Sequence, residues 1–262
     1  MGSAAIQGAV WSAGARTWAE LQEPQQFSFY EAAFDAIAVG DGMRLLDAGC
    51  GSGLALEMAR ARGAEVFGFD ASAGLLEFAA ERMPDVELLQ GDLELMPYDD
   101  EEFDAVTAFN AVQFAADPNA ALTEIKRVCK RGGRVAIVTW APAEESDMGT
   151  VLGALDPLMP APPSGADAPS PFTLTERGAL EARMGDAGLD VREPIEVRTR
   201  FVYWDKETAV RALVAIGLGV VASAKSGEGV VRKRLGEAYD QFVQPDGSVV
   251  LENLFRVLPA TA

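Results

Sequence analysis

The stretch Leu45-Leu46-Asp47-Ala48-Gly49-Cys50-Gly51-Ser52-Gly53 decides the fold of this chain. Its first half is apolar, as expected for a buried strand, and its second half places three glycines directly before a predicted helix at 54–62. Glycines at such a junction permit positive φ angles and let a ligand approach bare backbone. The free N–H groups at the start of the helix add hydrogen-bond donors. The stretch therefore predicts a nucleotide-type binding loop between a strand and a helix.

Length and composition are those of an ordinary globular protein. The 262 residues suffice for one large domain, and 49% of them are hydrophobic. No apolar run reaches the ~18 residues of a membrane span, and the first residues lack the pattern of a secretion signal. With only two cysteines, Cys50 and Cys129, no disulfide framework is expected. These features predict a cytoplasmic protein.

The charge of the chain and its lack of histidine exclude several function classes. A formal net charge of −18 disfavours nucleic acid and anionic lipid as partners, because both require a basic surface. The absence of histidine excludes a histidine general base and any histidine-ligated metal. Since the two cysteines are also far apart, no metal site is expected. The sequence leaves the oligomeric state open.

Strand and helix patterns alternate after the glycine loop. Apolar strands are predicted at 43–47, 65–70, 86–90, 103–109 and 134–140, with helices between them. Alternation of this kind is typical of a parallel sheet that is covered by helices on both faces. The predicted fold class is therefore α/β, with a doubly wound sheet.

The remaining segments are less regular. Residues 6–39 are predicted to be helical and divided at Pro24, with Trp11 and Trp18 either packed on the domain or carried on a flap over a ligand. The proline-rich stretch 160–171 is interpreted as a connector rather than a mobile gate. A capping box of Thr173 and Glu176 predicts a helix at 175–187. Strands are expected at 190–203 and 248–257, with two helices, 206–224 and 228–244, forming a cap between them.

The composition of the glycine loop limits the ligand. Leu54 stands where a dinucleotide-binding fingerprint needs its third glycine, and the lysine of a phosphate-binding loop is missing. Asp47 lies directly before the loop and disfavours a polyphosphate. A cationic ligand that carries an amino acid is favoured instead.

Polar residues follow the next three strands at the same edge of the sheet. Asp70 ends the second strand, where its two oxygens can accept both hydroxyls of a ribose, although it can also cap the following helix. Asp92 follows the third strand and can accept an adenine amine, with the backbone of Leu93 bonding the ring. Asn110 ends the fourth strand, in the crevice where ligands bind such sheets. These positions predict a nucleoside site.

The motifs LLDAGCGSG, FGFDAS, QGDLELMP, FDAVTAFNAVQF and KRGGRVAIVTW together resemble the class I S-adenosylmethionine-dependent methyltransferases, most of all the bacterial small-molecule members of the ubiquinone/menaquinone-methyltransferase type. The resemblance covers 43–140 closely. It implies a seven-stranded Rossmann-like sheet, mostly parallel with an antiparallel last strand, and S-adenosylmethionine as cofactor. With the flap, the cofactor-binding residues expected are Arg16, Trp18, Gly49, Cys50, Gly51, Gly53, Asp70, Ala71, Gly91, Asp92, Leu93, Asn110 and Ala111.

The expected organisation is one domain in five parts. These are an N-terminal helical flap at 1–42, the cofactor-binding core at 43–140, an insert with a helix and strand that complete the sheet at 141–204, the helical cap at 205–247, and the final strand at 248–262.

The sequence says less about the acceptor of the methyl group than about the cofactor. The chain has Asn110-Ala111-Val112-Gln113 where nucleic-acid amino-methyltransferases carry Asn/Asp-Pro-Pro-Tyr/Phe, which makes that class improbable. Methyl transfer to an already nucleophilic atom needs mainly proximity and desolvation. The candidates for a catalytic group are Gln113, Glu145 and Asp147. A small, largely apolar acceptor is expected to contact Gln113, Phe114, Trp140, Tyr203 and Trp204, and for each aromatic residue core packing is the alternative.

Other functions remain open at this stage. The same fold can hold the cofactor while catalysing a cyclisation or rearrangement, in which case no S-adenosylhomocysteine is produced. The chain can also be a non-catalytic cofactor-binding protein. A dinucleotide-dependent oxidoreductase is disfavoured by Leu54.

Overall fold

A single sheet organises the molecule. The computed structural model describes residues 3–160, 172 and 174–262. The strands are β1 Arg44–Ala48, β2 Glu65–Asp70, β3 Glu87–Gln90, β4 Phe103–Phe109, β5 Cys129–Trp140, β6 Asp190–Val191, β7 Ile195–Tyr203 and β8 Val249–Thr261. Their order is β3-β2-β1-β4-β5-β8, with β6 and β7 both paired to the far edge of β8.

Strand direction agrees with the predicted fold class, which is confirmed. β1 to β5 run parallel, whereas β8 runs antiparallel between β5 and the β6–β7 pair. The strand expected at 190–203 is interrupted, because Pro194 lacks the N–H that a sheet ladder needs. Val191 pairs with Ala260 and Ile195 with Val257, so the register shifts by one residue across the break.

Helices cover both faces of the sheet around β1, β4 and β5, whereas β7 has one exposed face. The helices are α1 Ala4–Ala13, α2 Ala15–Thr17, α3 Phe27–Ala36, α4 Leu54–Ala61, α5 Ala73–Arg82, α6 Pro118–Val128, α7 Asp147–Gly153, α8 Ala179–Asp186, α9 Lys206–Val214, α10 Gly217–Ser226 and α11 Glu228–Tyr239. Neighbouring strand residues point to opposite faces. Accordingly Leu45 packs in the cluster that contains α3, α4 and α9, while Leu46 packs in the cluster that contains α6 and α8.

The N-terminal segment is not the helix divided only at Pro24 that the sequence suggested. After α1 and α2 the chain forms a π-helix at Trp18–Gln22 and a 3₁₀-helix at Glu23–Gln26 before α3 begins. A π-helix is rare and is frequent at functional sites. This irregular segment, Trp18–Gln26, is called the inner turn below.

The predicted cap helices also differ from the structure. The helix expected at 206–224 is broken into α9 and α10, which meet at a bend of 82°, and Gly217 at the bend has a φ of +46°. The helix expected at 228–244 ends at Tyr239. Within the described part of the chain no single helix is long and apolar enough to cross a membrane, and only the bent pair α9–α10 reaches that length and composition jointly.

One helix start is corrected. The helix expected at 175–187 begins at Ala179, where Glu181 Oε2 accepts a 3.1 Å hydrogen bond from the N–H of Gly178. Thr173 and the loop 161–171 lie outside the described residues. In the insert, α7 is flanked by the 3₁₀ turns Ala143–Glu145 and Asp156–Leu158.

Helix α1 rests closely on the turn that follows β2, and Gly8 makes this possible. A Cβ at Gly8 would lie 2.4 Å from the carbonyl oxygen of Ala71. We expect Gly8→Ala to push α1 outward at a cost of about 1–3 kcal/mol, and hydrogen exchange to be faster in α1 but unchanged in β1 and β4. Gly153→Ala in α7 is the control, because its Cβ would meet nothing within 4 Å. Unchanged exchange in α1 would contradict this packing.

Candidate functional site

The glycine loop between β1 and α4 adopts a left-handed backbone at all three glycines. Gly49, Gly51 and Gly53 have φ angles of +92°, +55° and +86°, a conformation that L-residues with side chains rarely adopt. A Cβ at Gly49 would lie 2.4 Å from the Cβ of Ala111. The loop therefore contacts the chain that follows β4 and leaves bare backbone facing outward.

Asp70 ties the loop to the end of β2. Its Oδ2 accepts a 2.9 Å hydrogen bond from the N–H of Gly51, and its Oδ1 accepts a 2.8 Å bond from the N–H of Ser72. Burial raises the pKa of Asp70, and these N–H donors oppose the rise. These hydrogen bonds hold the carboxylate at the edge of the cavity, and they also hold the glycine loop in place.

Two further carboxylates lie beneath the loop. Asp47 is buried and accepts a 2.8 Å hydrogen bond from the hydroxyl of Thr107, and burial together with the negative charges of Asp70 and Glu23 raises its pKa to about 7. Glu23 is also buried, which raises its pKa. Its Oε1 accepts from the first N–H of α4 at 3.2 Å, and its Oε2 pairs with Arg82 at 2.9 Å.

This arrangement sets the charge preference of the site. The start of a helix ordinarily attracts anions, but here the carboxylate of Glu23 already occupies that position. With Asp47 and Asp70 close by, additional negative charge is disfavoured. A ligand that brings positive charge to the glycine loop would relieve the repulsion among these groups.

Trp18 supplies a hydrogen-bond donor with no partner. Its Nε1 atom is buried and makes no hydrogen bond within the described residues, and it lies 3.4 Å from the position that a Cβ on Gly51 would take. The ring of Trp18 packs edge-on against Trp11, at 5.1 Å between centroids. Buried indole N–H groups usually find an acceptor. Trp18 therefore presents a donor over the glycine loop that fits a ligand bound there.

A cavity opens in front of the glycine loop, and its lining comes from the N-terminal segment, the ends of the parallel strands and the turn between α9 and α10. Its loop end is lined by Gly49, Gly51, Asp70, Ala71, Asp92, Leu93, Asn110 and Ala111. Its other end is mostly apolar and is lined by Trp140, Met148, Leu152, Phe201, Leu213, Ile216 and Leu218.

Most of the residues predicted for the cofactor face this cavity. Trp18, the loop-end residues above and two of those predicted for the acceptor, Phe114 and Trp140, line it. Asn110 has a φ of +50°, an uncommon value for a residue with a side chain. Such backbone is retained where surrounding structure enforces it, which is frequent at binding sites.

Three residues of the glycine-rich turns support the cavity without lining it. A Cβ at Gly53 would lie 3.1 Å from the Cβ of Ala79, so this glycine lets α4 pack against α5. Cys50 is buried, and burial raises the pKa of its thiol well above the ordinary value. Gly91 donates a 3.0 Å hydrogen bond to the carbonyl of Asp70 and so joins the turns after β3 and β2.

The structure does not bring two predicted contacts to the cavity because their side chains point to solvent. Arg16 forms an exposed ion pair with Glu20, at 3.2 Å, and its guanidinium lies over the ring of Phe78. Trp204 is 88% exposed, since it follows the end of β7 on the outer side of the sheet.

Tyr203 and Gln113 are held inside the protein beside the cavity rather than in its wall. The Tyr203 hydroxyl donates a 3.0 Å hydrogen bond to Gln22 Oε1. The Gln113 amide lies 3.4 Å from Asn110 Oδ1, and Gln113 is buried. Gln113 does not line the cavity, whereas its partner Asn110 does.

Neither acid proposed as a base lines the cavity. Glu145 forms a 2.7 Å ion pair with Arg177. Asp147 Oδ2 accepts a 2.7 Å hydrogen bond from the N–H of Glu252. Both carboxylates are therefore engaged with partners away from the cavity.

The sequence raised the possibility of a flap that carries Trp11 and Trp18, but it did not single out the other N-terminal residues that line the cavity. Gln22 and Gln26 line the cavity, together with Ser3, Ala4, Gln7 and Trp11. Spacing four apart places Gln22 and Gln26 on one side of a helical segment, which was a usable signal. Nothing local indicated that this side faces the cavity.

Comparison with known proteins identifies the family. A family described as "Methyltransferase domain" matches residues 46–137. Malonyl-[acyl-carrier protein] O-methyltransferase of Erwinia pyrifoliae is 30% identical over 207 residues, which are 79% of this chain and 74% of that protein. Demethylmenaquinone methyltransferase of Renibacterium salmoninarum is 34% identical over 107 residues, which are 41% of this chain. The match spans only 45% of the length of the Renibacterium protein.

The fold has known counterparts too. The crystal structure of the [4+2]-cyclase SpnF superposes with a TM-score of 0.62 and 19% identity, covering 97% of this chain and 96% of that one. At this identity the likeness concerns the fold alone. Because the sequence match to the Erwinia protein extends over most of both chains, family membership follows. The chain belongs to the family of S-adenosylmethionine-dependent methyltransferases, with S-adenosylmethionine as its cofactor.

Proposed function

We propose that this protein transfers a methyl group from S-adenosylmethionine to a small, largely apolar molecule. The observation that carries the proposal is the single cavity with two unlike ends, one formed by the glycine loop and carboxylates and one by aromatic and aliphatic side chains. A cofactor at the first end would leave the apolar end for the acceptor. Of the relatives named above, the one named for demethylmenaquinone is consistent with an acceptor of this kind, whereas the other is named for malonyl-[acyl-carrier protein].

The residues at the loop end suit the three parts of the cofactor. The glycine backbone and the Trp18 N–H would hold the methionine part, where the buried acids favour its positive charges. Asp70 would accept hydrogen bonds from the ribose hydroxyls, and Asp92 from the adenine amine. The fit rests on the unpartnered Trp18 N–H and on glycines whose Cβ atoms would fill the site.

The chemistry that we propose depends on positioning. Bound S-adenosylmethionine supplies an electrophilic methyl group. Trp140, Phe201 and Leu213 exclude water from the acceptor end and orient an apolar molecule toward the loop. Alignment of this kind can contribute about 7–11 kcal/mol to lowering the barrier. Among the described residues, the carboxylates that line the cavity are Asp70 and Asp92, and both lie at the cofactor end.

Deuterated cofactor would test the function directly. The purified protein is incubated with S-adenosylmethionine that carries a CD₃ group and with an extract of apolar metabolites. We expect S-adenosylhomocysteine and a product in which one CD₃ replaces one hydrogen, which also identifies the acceptor. Native mass spectrometry of the purified protein reports any cofactor that it retains. A product that forms without S-adenosylhomocysteine would instead support cyclisation or rearrangement, and cofactor binding without any product would support a non-catalytic role.

With that acceptor in hand, the role of the two surface acids can be tested. We expect Glu145→Gln and Asp147→Asn to leave single-turnover rates within about twofold of the unmodified protein, because both carboxylates are engaged away from the cavity. The rates are measured in several buffer concentrations, so that rescue by buffer would be visible. A loss of about 100-fold or more in either variant would show that the acid reaches the acceptor as a general base.

A further inference from the structure

Two buried glutamines of the inner turn line the cavity. Gln22 and Gln26 are 3% and 5% exposed, respectively, and both line the cavity. They are four residues apart in the segment where a π-helix is followed by a 3₁₀-helix. Buried amides are expensive unless both their donor and acceptor groups are used. The hydrogen bonds of each amide therefore show which of its donor and acceptor groups remain free to bind a ligand.

In both residues the side-chain amide oxygen accepts a hydrogen bond from a tyrosine hydroxyl. Tyr203 donates to Gln22 Oε1 at 3.0 Å, and Tyr30 donates to Gln26 Oε1 at 3.1 Å. Both tyrosines are buried, which raises the pKa of each hydroxyl above the ordinary value and keeps it protonated. A buried hydroxyl proton needs an acceptor, and within the described residues each hydroxyl has only the glutamine oxygen.

This pairing fixes the orientation of the amides. With each Oε1 turned toward a tyrosine, the Nε2 group of each glutamine is left without a protein acceptor in the described part of the chain. Gln25, between them, differs: its Nε2 donates to the carbonyl of Val202 at 2.9 Å and its Oε1 accepts from the N–H of Val202 at 3.1 Å. Gln25 thus anchors the turn to β7, whereas its two neighbours retain free donors.

We infer that Gln22 and Gln26 are specificity-determining residues whose Nε2 groups bind an oxygen of the acceptor, so that the substrate class is an apolar molecule bearing a carboxylate, enolate, phenolate or carbonyl oxygen. The inference rests on the proposed function and deepens it. Tyr30 and Tyr203 are positioning residues that hold the amides with their donors toward the cavity. Because no acid among the described residues lines the apolar end, two neutral donors in the cavity wall favour an acceptor that arrives with its oxygen already ionised or polarised.

A set of naphthalene probes tests the inference without the natural acceptor. Binding of 2-naphthoate, 2-methylnaphthalene and 2-naphthylmethylamine is measured by tryptophan fluorescence on the protein saturated with S-adenosylhomocysteine. We expect 2-naphthoate to bind at least about tenfold more tightly than the neutral and cationic probes of similar size. Gln22→Met and Gln26→Met should each reduce this preference about threefold to tenfold, with S-adenosylhomocysteine affinity unchanged.

Controls separate recognition from folding. Gln25→Met should lower the preference for 2-naphthoate by less than Gln22→Met or Gln26→Met does, since it weakens the anchor of the turn on β7 but removes no free amide donor. Tyr203→Phe keeps the packing but frees the Gln22 amide to rotate, so it should lower the preference by less than Gln22→Met does. The ratio of probe affinities within one variant does not depend on how much of the protein is folded. A stability defect alone therefore leaves that ratio unchanged.

The possible failures are distinguishable. If the unmodified protein does not bind S-adenosylhomocysteine, the proposed function itself is contradicted. If it binds S-adenosylhomocysteine but takes 2-naphthoate no more tightly than 2-methylnaphthalene, or binds neither, the glutamine inference is overturned and the proposed function stands. A loss of S-adenosylhomocysteine affinity in the methionine variants would also overturn it, by assigning the amides to the cofactor.

Discussion

Asp70→Ala is expected to lower the affinity for S-adenosylmethionine about tenfold to 100-fold, corresponding to ~1.5–3 kcal/mol. The carboxylate lines the cavity at the end of β2 and would accept charged hydrogen bonds from the ribose. It also accepts the N–H groups of Gly51 and Ser72. The substitution therefore removes a ligand contact and loosens the glycine loop at once. Isothermal titration of the variant with cofactor measures the sum of the two effects.

Two comparisons separate these contributions. Asp70→Asn keeps one oxygen for the backbone N–H groups while removing the charge, so we expect an affinity between those of the unmodified protein and Asp70→Ala. Asp85→Ala removes an exposed carboxylate that pairs with Arg60 at the surface, and it should leave the affinity unchanged. A loss of less than twofold in Asp70→Ala would contradict the ribose assignment, which is so far a prediction.

The sheet and the glycine loop could be predicted from the sequence because the patterns that indicate them are local. Apolar runs of strand length, helices between them and glycines at the junction each depend on neighbouring residues alone. The break at Pro194 was not predicted, although a proline within a strand pattern indicates an interruption. The antiparallel direction of the last strand came from the family resemblance and not from these patterns.

The inner turn could not be predicted in the same way. Its conformation depends on contacts far along the chain: Glu23 pairs with Arg82, and Gln25 bonds Val202, which is 177 residues away. A π-helix has no distinct periodic signal in a single sequence. For the same reason the burial of Glu23 beneath the loop was missed, although it changes the charge of the site. The acceptor end depends on how α9 and α10 bend over the sheet, which is again a long-range property.

The affinity for S-adenosylmethionine is expected to increase about tenfold between about pH 5.5 and about pH 8.5. Without cofactor, burial raises the pKa of Asp47 to about 7, so this carboxyl is largely protonated at the lower pH. A cationic ligand at the loop favours the ionised carboxylate and lowers its pKa. Binding therefore releases a proton, and binding linked to proton release becomes tighter as the pH rises.

In contrast to the affinity for the cofactor, the stability of the protein without cofactor is expected to decrease as the pH rises. A carboxyl whose pKa is higher in the folded than in the unfolded state stabilises the fold below the unfolded pKa, and this contribution is lost as the pH rises through about 7. We therefore expect the melting temperature of the unliganded protein to fall between about pH 5.5 and about pH 8. The melting temperature of the cofactor-bound protein should fall less, because bound positive charge compensates for the ionised Asp47.

The variant Asp47→Asn tests whether Asp47 causes the pH dependence of cofactor affinity. The amide cannot ionise, so the pH dependence of cofactor affinity should become nearly flat, while the hydrogen bond with Thr107 can be retained. S-adenosylhomocysteine provides a second comparison, since it lacks the sulfonium charge and its affinity should rise less with pH in the unmodified protein. An equally steep increase in Asp47→Asn would assign the proton to another group, with Glu23 and Asp70 the nearest acids that burial also affects.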